Sequence, residues 1–109
     1  MEGYVLDGEM ARVFQLPQAR GFLVQRISQG SPAARLGLQP GNRKATIGTE
    51  EFLVGGDVIL EVQGINFADA DARERIRAAL SSQAQGKPIS VIVLRGGRRI
   101  ELEWTPAAH

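Results

Sequence analysis

Between Gly21 and Leu60 the chain spells out a strand, one helical turn marked at both ends, and a second strand entered through a Gly-Gly-Asp turn. Along Gly21 to Ile27, Phe22, Val24 and Arg26 alternate with Leu23, Gln25 and Ile27. Neither face begins polar, so this strand is expected to be buried on both sides. Ser31-Pro32 is an N-cap followed by proline at the first helical position. The hydroxyl can accept from an otherwise unpaired amide, and proline lacks the amide that would go unused. Gly37 supplies the left-handed residue that closes the turn, which lets Leu38 fold back onto a core before Gln39-Pro40-Gly41 turns the chain. Gly55-Gly56 then leads into Asp57 to Gln63, where Val58, Leu60 and Val62 alternate with Asp57, Ile59 and Glu61. The stretch holds no catalytic group, which points toward a small binding module.

The flanks fill in the architecture. Residues 3–6 read as a short strand, and Asp7 is placed to cap a helix over about Gly8 to Gln15 with Met10, Val13 and Phe14 on one apolar face. Lys44 to Ile47 and Glu51 to Val54 are strand candidates around Gly48-Thr49. The longest helix is predicted from Asp69 to Gln83, with Ala72, Ile76, Ala79 and Leu80 as an apolar stripe and Asp69–Arg73 and Asp71–Arg75 as acid-first pairs. Gln85-Gly86-Lys87-Pro88 breaks it. Ile89 to Leu94 and Arg99 to Trp104 form a hairpin through Gly96-Gly97, whose Arg95, Arg98 and Arg99 read as a solvated tip. This gives five to seven short strands, one long helix and one or two short ones. The fold class is mixed α+β, mainly β: a partly open barrel or sandwich capped by the long helix, without the regular strand–helix alternation of a doubly wound sheet.

Size and chemistry exclude much. A chain of 109 residues suits one domain, taken here as 3–105 with 106–109 as a tail. A net charge of +1, with no basic stripe or interleaved aromatics, gives no basis for a nucleic-acid partner. No apolar run reaches membrane-spanning length, so direct insertion is not expected. The chain lacks cysteine, and its one histidine is the terminal His109, a poor general base. No phosphate loop, nucleophile elbow or calcium loop is present, so no catalysis, cofactor or metal is expected. What remains is a surface built from backbone: a strand edge beside a helix accepts an extended peptide as an added strand, and pockets between them select side chains.

Gly21-Phe22-Leu23-Val24, Gly30 to Ala34, Leu36-Gly37-Leu38 and Gly56 to Leu60 together resemble the core signature of a bacterial-type PDZ domain. Gln63-Gly64, the helix ending near Leu80 and the Val93 to Arg98 hairpin follow in the order usual for that family, so the resemblance runs from about Leu6 to Trp104. It is similar above all to PDZ domains of HtrA/Deg-like, trypsin-type serine proteases. One departure is Gly41 to Gly55, which interrupts the family's direct passage from the first turn into Asp57-Val58-Ile59 and reads as a hairpin insertion.

The resemblance implies binding of C-terminal or unfolded peptide segments with a hydrophobic end, and through that delivery of substrate to, or activation of, an attached protease domain. It further implies an extracytoplasmic setting, periplasmic or membrane-anchored facing the periplasm. In the family a loop donates amides to the peptide's carboxylate, and the strand after it pairs with the peptide. Counting back from Leu16-Pro17 makes Gly3, Tyr4, Val5 and Leu6 the pairing strand; alternatively these residues are themselves the loop. Ile76 and Leu80 are the expected apolar wall, and Arg73 and Arg77 the polar selectors. Residues 21–60 are expected to set the fold without touching ligand. Two other readings fit the residues: a docking module for another domain or subunit without a free peptide, and the PDZ domain of another protease class, a membrane-embedded metalloprotease or a tail-processing protease.

Overall fold

In the computed structural model, which describes residues 1–82 and 86–106, the two alternating strands form the centre of an open antiparallel sheet. In chain order the elements are β1 (Glu2–Asp7), α1 (Gly8–Val13), β2 (Arg20–Arg26), α2 (Pro32–Leu36), β3 (Arg43–Ile47), β4 (Glu50–Val54), β5 (Val58–Val62), β6 (Ile65–Asn66), α3 (Ala72–Ser81), β7 (Ile89–Arg95) and β8 (Arg98–Trp104). The main sheet has the order β1-β2-β5-β7-β8, with β6 paired to β5, while β3 and β4 pair only with each other. The mainly β class with one longer helix therefore holds. Among the described residues the strands number eight, because even the two-residue β6 pairs, and the sheet is open rather than closed into a barrel.

The sheet buries both faces because β2 and β5 carry apolar residues on each. On one side Val24, Leu38, Ile59, Val62, Val91 and Val93 form a core, with Leu36 from α2 and Ile76 from α3 packed against it. On the other, Leu6, Leu23, Val58 and Leu60 meet Phe52 of the β3–β4 hairpin and Met10 and Phe14 beside them. The short helix α2 is closed at both ends as its sequence requires. Ser31 Oγ accepts from the Ala34 amide at 3.3 Å, Pro32 opens the turn, and Gly37 at φ 87° ends it, so that Leu38 returns to the core only 7% exposed.

The frame is locked by a bond network that residue spacing does not reveal. Asp57 is fully buried, and Arg95 donates to both its carboxylate oxygens, from Nε at 2.8 Å and Nη2 at 2.7 Å. The Gln39 amide donates to Oδ2 at 2.9 Å, and Arg95 Nη2 also reaches the Gly37 carbonyl at 2.9 Å. The hydrogen bond to Asp57 raises the Arg95 pKa above its ordinary value; partial burial pulls it down and the charge of Asp57 adds to the rise. A buried carboxylate is tolerated when paired and fully bonded in this way. The β8 hairpin tip is thus only partly solvated: Arg95 is a clamp, and Arg99 pairs with Glu61.

Three local expectations change. The first helix ends at Val13, with Gln15 in the left-handed region at φ 55°, and Val13 is 57% exposed; Ala11 takes the buried position instead. Asp7 stands at the N-cap but makes no capping bond. The third helix starts at Ala72, since Asp69 and Asp71 belong to the turn before it, where the Asp69 amide bonds the Asn66 carbonyl and the Ala72 amide bonds that of Asp69. Arg75 consequently pairs with Asp69 at 3.2 Å, and not with Asp71. Gln83, Gln85 and His109 lie outside the described residues. Among the described residues no helix is long and apolar enough to cross a membrane.

Candidate functional site

Strand β1 ends the main sheet, hydrogen-bonded to β2 alone, so its outer row of amides and carbonyls is open to another strand. Residues 3–6 are therefore strand and not loop: Gly3 pairs with Val24, Tyr4 with Leu23, Val5 with Phe22 and Leu6 with Gly21. The pleat sends alternate side chains to opposite faces. Tyr4 and Leu6 point to the hairpin side, where Tyr4 meets Phe52 edge-on with ring centroids 4.7 Å apart and Leu6 is fully buried. Val5 and Asp7 point to the α3 side. Gly3 has no room for a side chain, because a Cβ there would collide with the Phe22 ring and the Leu23 carbonyl.

Along α3 runs a cleft in two parts, both lined by Phe67 and Arg73: the first lies between β1 and the start of α3, the second between α3 and β2, β5 and β7, with Met1 at its end. The first, of about 460 Å³, is polar: Val5, Asp7 and Arg20 face Asp69, Asp71 and Glu74 at the start of α3. The second, of about 570 Å³, is apolar and lies along the later turns of α3, with Ile76 and Leu80 on the helix, Phe22 on β2 and Ile89 and Val91 on β7. Met1 stands at this end, whereas Val5 and Asp7 stand at the other, so α3 runs antiparallel to β1. The stripe on α3 is graded. Ala72 is 1% exposed, Ile76 is half-buried, and Leu80 is 40% exposed at the lip.

The eight residues singled out from sequence thus divide. Ile76, Leu80, Arg73 and Arg77 line the apolar part together; Val5 lines the polar part; Gly3 is held against Phe22; Tyr4 and Leu6 belong to the edge strand but send their side chains to the hairpin side. Sequence reasoning missed that the 21–60 stretch also lines the groove, through Phe22, Pro32, Ala33, Leu36, Leu38 and Ile59. The signal was present in Phe22, which shares a face with Val24 and not with Leu23, but nothing in the sequence says that this face is left partly uncovered. No group of three or more metal-ligating side chains occurs among the described residues, and the lining offers shape, backbone and charge.

The hairpin insertion belongs to the scaffold. Its entry and exit lie side by side, with the Asn42 amide bonded to the Val54 carbonyl at 2.9 Å and the Asp57 amide to the Gln39 carbonyl at 3.0 Å. Buried Gln25 grips β4 like a neighbouring strand, donating to the Leu53 carbonyl and accepting from the Leu53 amide, both at 2.7 Å.

A family model described as PDZ domain matches residues 8–105. No curated protein matches the chain.

Proposed function

We propose, since the chain belongs to the PDZ domain family, that it captures peptide segments by adding them as a strand to the open edge of β1, with an apolar ligand side chain seated between Ile76 and Leu80. PDZ domains are non-catalytic, peptide-binding interaction modules, and the family supplies that coarse activity. The observation that carries the finer reading is the juxtaposition of an unpaired strand edge with a cleft along α3 whose larger part is apolar. A strand added there gains main-chain hydrogen bonds along β1 and buries a side chain in the groove. Affinity near micromolar, roughly −8 kcal/mol, is expected of one short segment.

The wider setting we propose is a module of an HtrA/Deg-like serine protease in an extracytoplasmic compartment, where peptide capture recruits substrate or regulates the protease. The signature around Gly30 to Leu38 and Gly56 to Leu60 supports this reading. The test of the site is a fluorescence-anisotropy titration with a labelled, leucine-terminated octapeptide. Binding should weaken more than about tenfold in a folded Leu80→Asp variant, which places a charge in the apolar groove. Unchanged binding in that variant would remove the groove from the account.

A further inference from the structure

Strand β8 is the second open edge of the main sheet, at the opposite end from β1. It bonds β7 alone, in unbroken register from Arg98 to Trp104. Beyond that ladder no described residue bonds its amides or carbonyls. Such an edge is a template for another strand unless charge, proline or a bulge guards it. The register of β1 breaks between Glu2 and Gly3, whereas that of β8 does not, and the first proline after β8 is Pro106. The guard on β8 is therefore charge. Arg99, Glu101 and Glu103 alternate along one face and are exposed, while Ile100, Leu102 and Trp104 on the other are half-buried. Charge of mixed sign repels a random strand less than it selects a complementary one.

We propose that β8 pairs with β8 of a second copy of this chain, antiparallel and centred on Ile100, so that two main sheets join edge to edge. The charges choose both the partner and the register. With Ile100 opposite Ile100, Arg99 of each copy faces Glu101 of the other, giving two opposite-charge cross-strand pairs. Sliding one strand by two residues sets Glu101 against Glu101 in one direction and Arg99 against Arg99 in the other. A slip of one residue turns the faces over. Arg99 already holds Glu61 through Nη2, but its side chain is 56% exposed and a guanidinium has further donors for a second carboxylate. On the other face, Arg98 stands opposite Leu102 and diagonal to Trp104 of the second copy, a cation beside an aromatic ring. One short strand and two exposed ion pairs make a reversible, salt-sensitive dimer. The contact uses neither β1 nor α3, so it stands whether or not a peptide binds there. Each copy keeps its groove, and the dimer presents two of them at its far edges, which suits bivalent capture.

Sedimentation velocity of the chain, from about micromolar to about millimolar concentration, should show a reversible monomer–dimer equilibrium. Glu101→Arg, at an exposed position with no described partner, should melt as the wild type does. It should weaken the dimer more than about tenfold, because like charges then meet at both cross-strand pairs. Arg99→Glu also loses the pair with Glu61, so it should melt lower and weaken the dimer similarly. An equal mixture of the two variants should regain the wild-type dimer, since opposite charges meet again at both pairs. If Arg99→Glu does not fold, intermolecular NOEs in a wild-type sample of differently labelled copies decide instead. Contact between the Ile100 methyls of two copies supports the pairing, and a dimer without that contact overturns it. A wild type that stays monomeric throughout overturns the proposal. So does a dimer that Glu101→Arg leaves intact, or a mixture of two folded variants that stays monomeric.

Discussion

Helix α3 and the β3–β4 hairpin lie on opposite faces of the same sheet beside β1, and the molecule treats them in opposite ways. The hairpin turns its apolar side inward, with Phe52 6% exposed and both backbone groups of Leu53 bonded to Gln25, and leaves its charges, Arg43, Lys44, Glu50 and Glu51, outside. The helix leaves apolar surface open, since Leu80 is 40% exposed at the lip of the groove and Ile76 is only half-buried. The lesson is that an insertion can stand out in sequence because it completes a core, while binding capacity sits where a conventional-looking element leaves apolar surface uncovered.

That contrast can be broken first at the hairpin. Phe52→Ala should cost about 4 kcal/mol in denaturant unfolding, because Phe52 closes the core over Leu6, Leu23, Val58 and Leu60. A loss under about 1 kcal/mol would mean the hairpin is a detachable appendage. At the joint where the hairpin returns to the sheet, Arg95→Ala should cost about 3 kcal/mol, since it strands the buried carboxylate of Asp57 with the Gln39 amide as its remaining described partner. Chemical denaturation at neutral pH measures it. Gln25→Ala should cost about 2 kcal/mol by unpairing the Leu53 amide and carbonyl, and it should raise hydrogen exchange across Glu50–Val54 before the rest of the sheet. At the other pole, Leu80→Asp should change stability by only about 0.5 kcal/mol while removing most peptide affinity. A melting point that falls as far as that of Phe52→Ala would show that α3 is core and not wall.

The parts of the fold legible in sequence were those written in local chemistry. The cap at Ser31, the proline after it and Gly37 mark α2 by themselves, short apolar runs mark β2 and β5, and strict alternation marks β8. What stayed hidden depends on partners distant in the chain. Nothing local distinguishes Asp69 at the head of a helix from Asp69 in the turn before it; the difference lies in the bonds that hold residues 66–72 as a turn. Gln25 reads as an ordinary polar residue on an alternating strand, and its hold on Leu53 spans 28 positions. Arg95 reads as hairpin-tip charge until Asp57, 38 positions earlier, is folded beneath it. For the site, the α3 stripe and its arginines were readable from helical spacing, whereas the contribution of Phe22, Leu36 and Ile59 required knowing which part of the sheet α3 leaves open.

The central claim, that β1 and α3 receive a peptide as an added strand, is tested most directly by residue-resolved NMR of the chain titrated with the leucine-terminated octapeptide. The account predicts slowed hydrogen exchange for β1 amides between Gly3 and Leu6, together with shifts from Arg73 to Leu80, and an unmoved β3–β4 hairpin. Perturbations confined to Arg43–Val54 or to β8, with β1 exchanging as before, would contradict it.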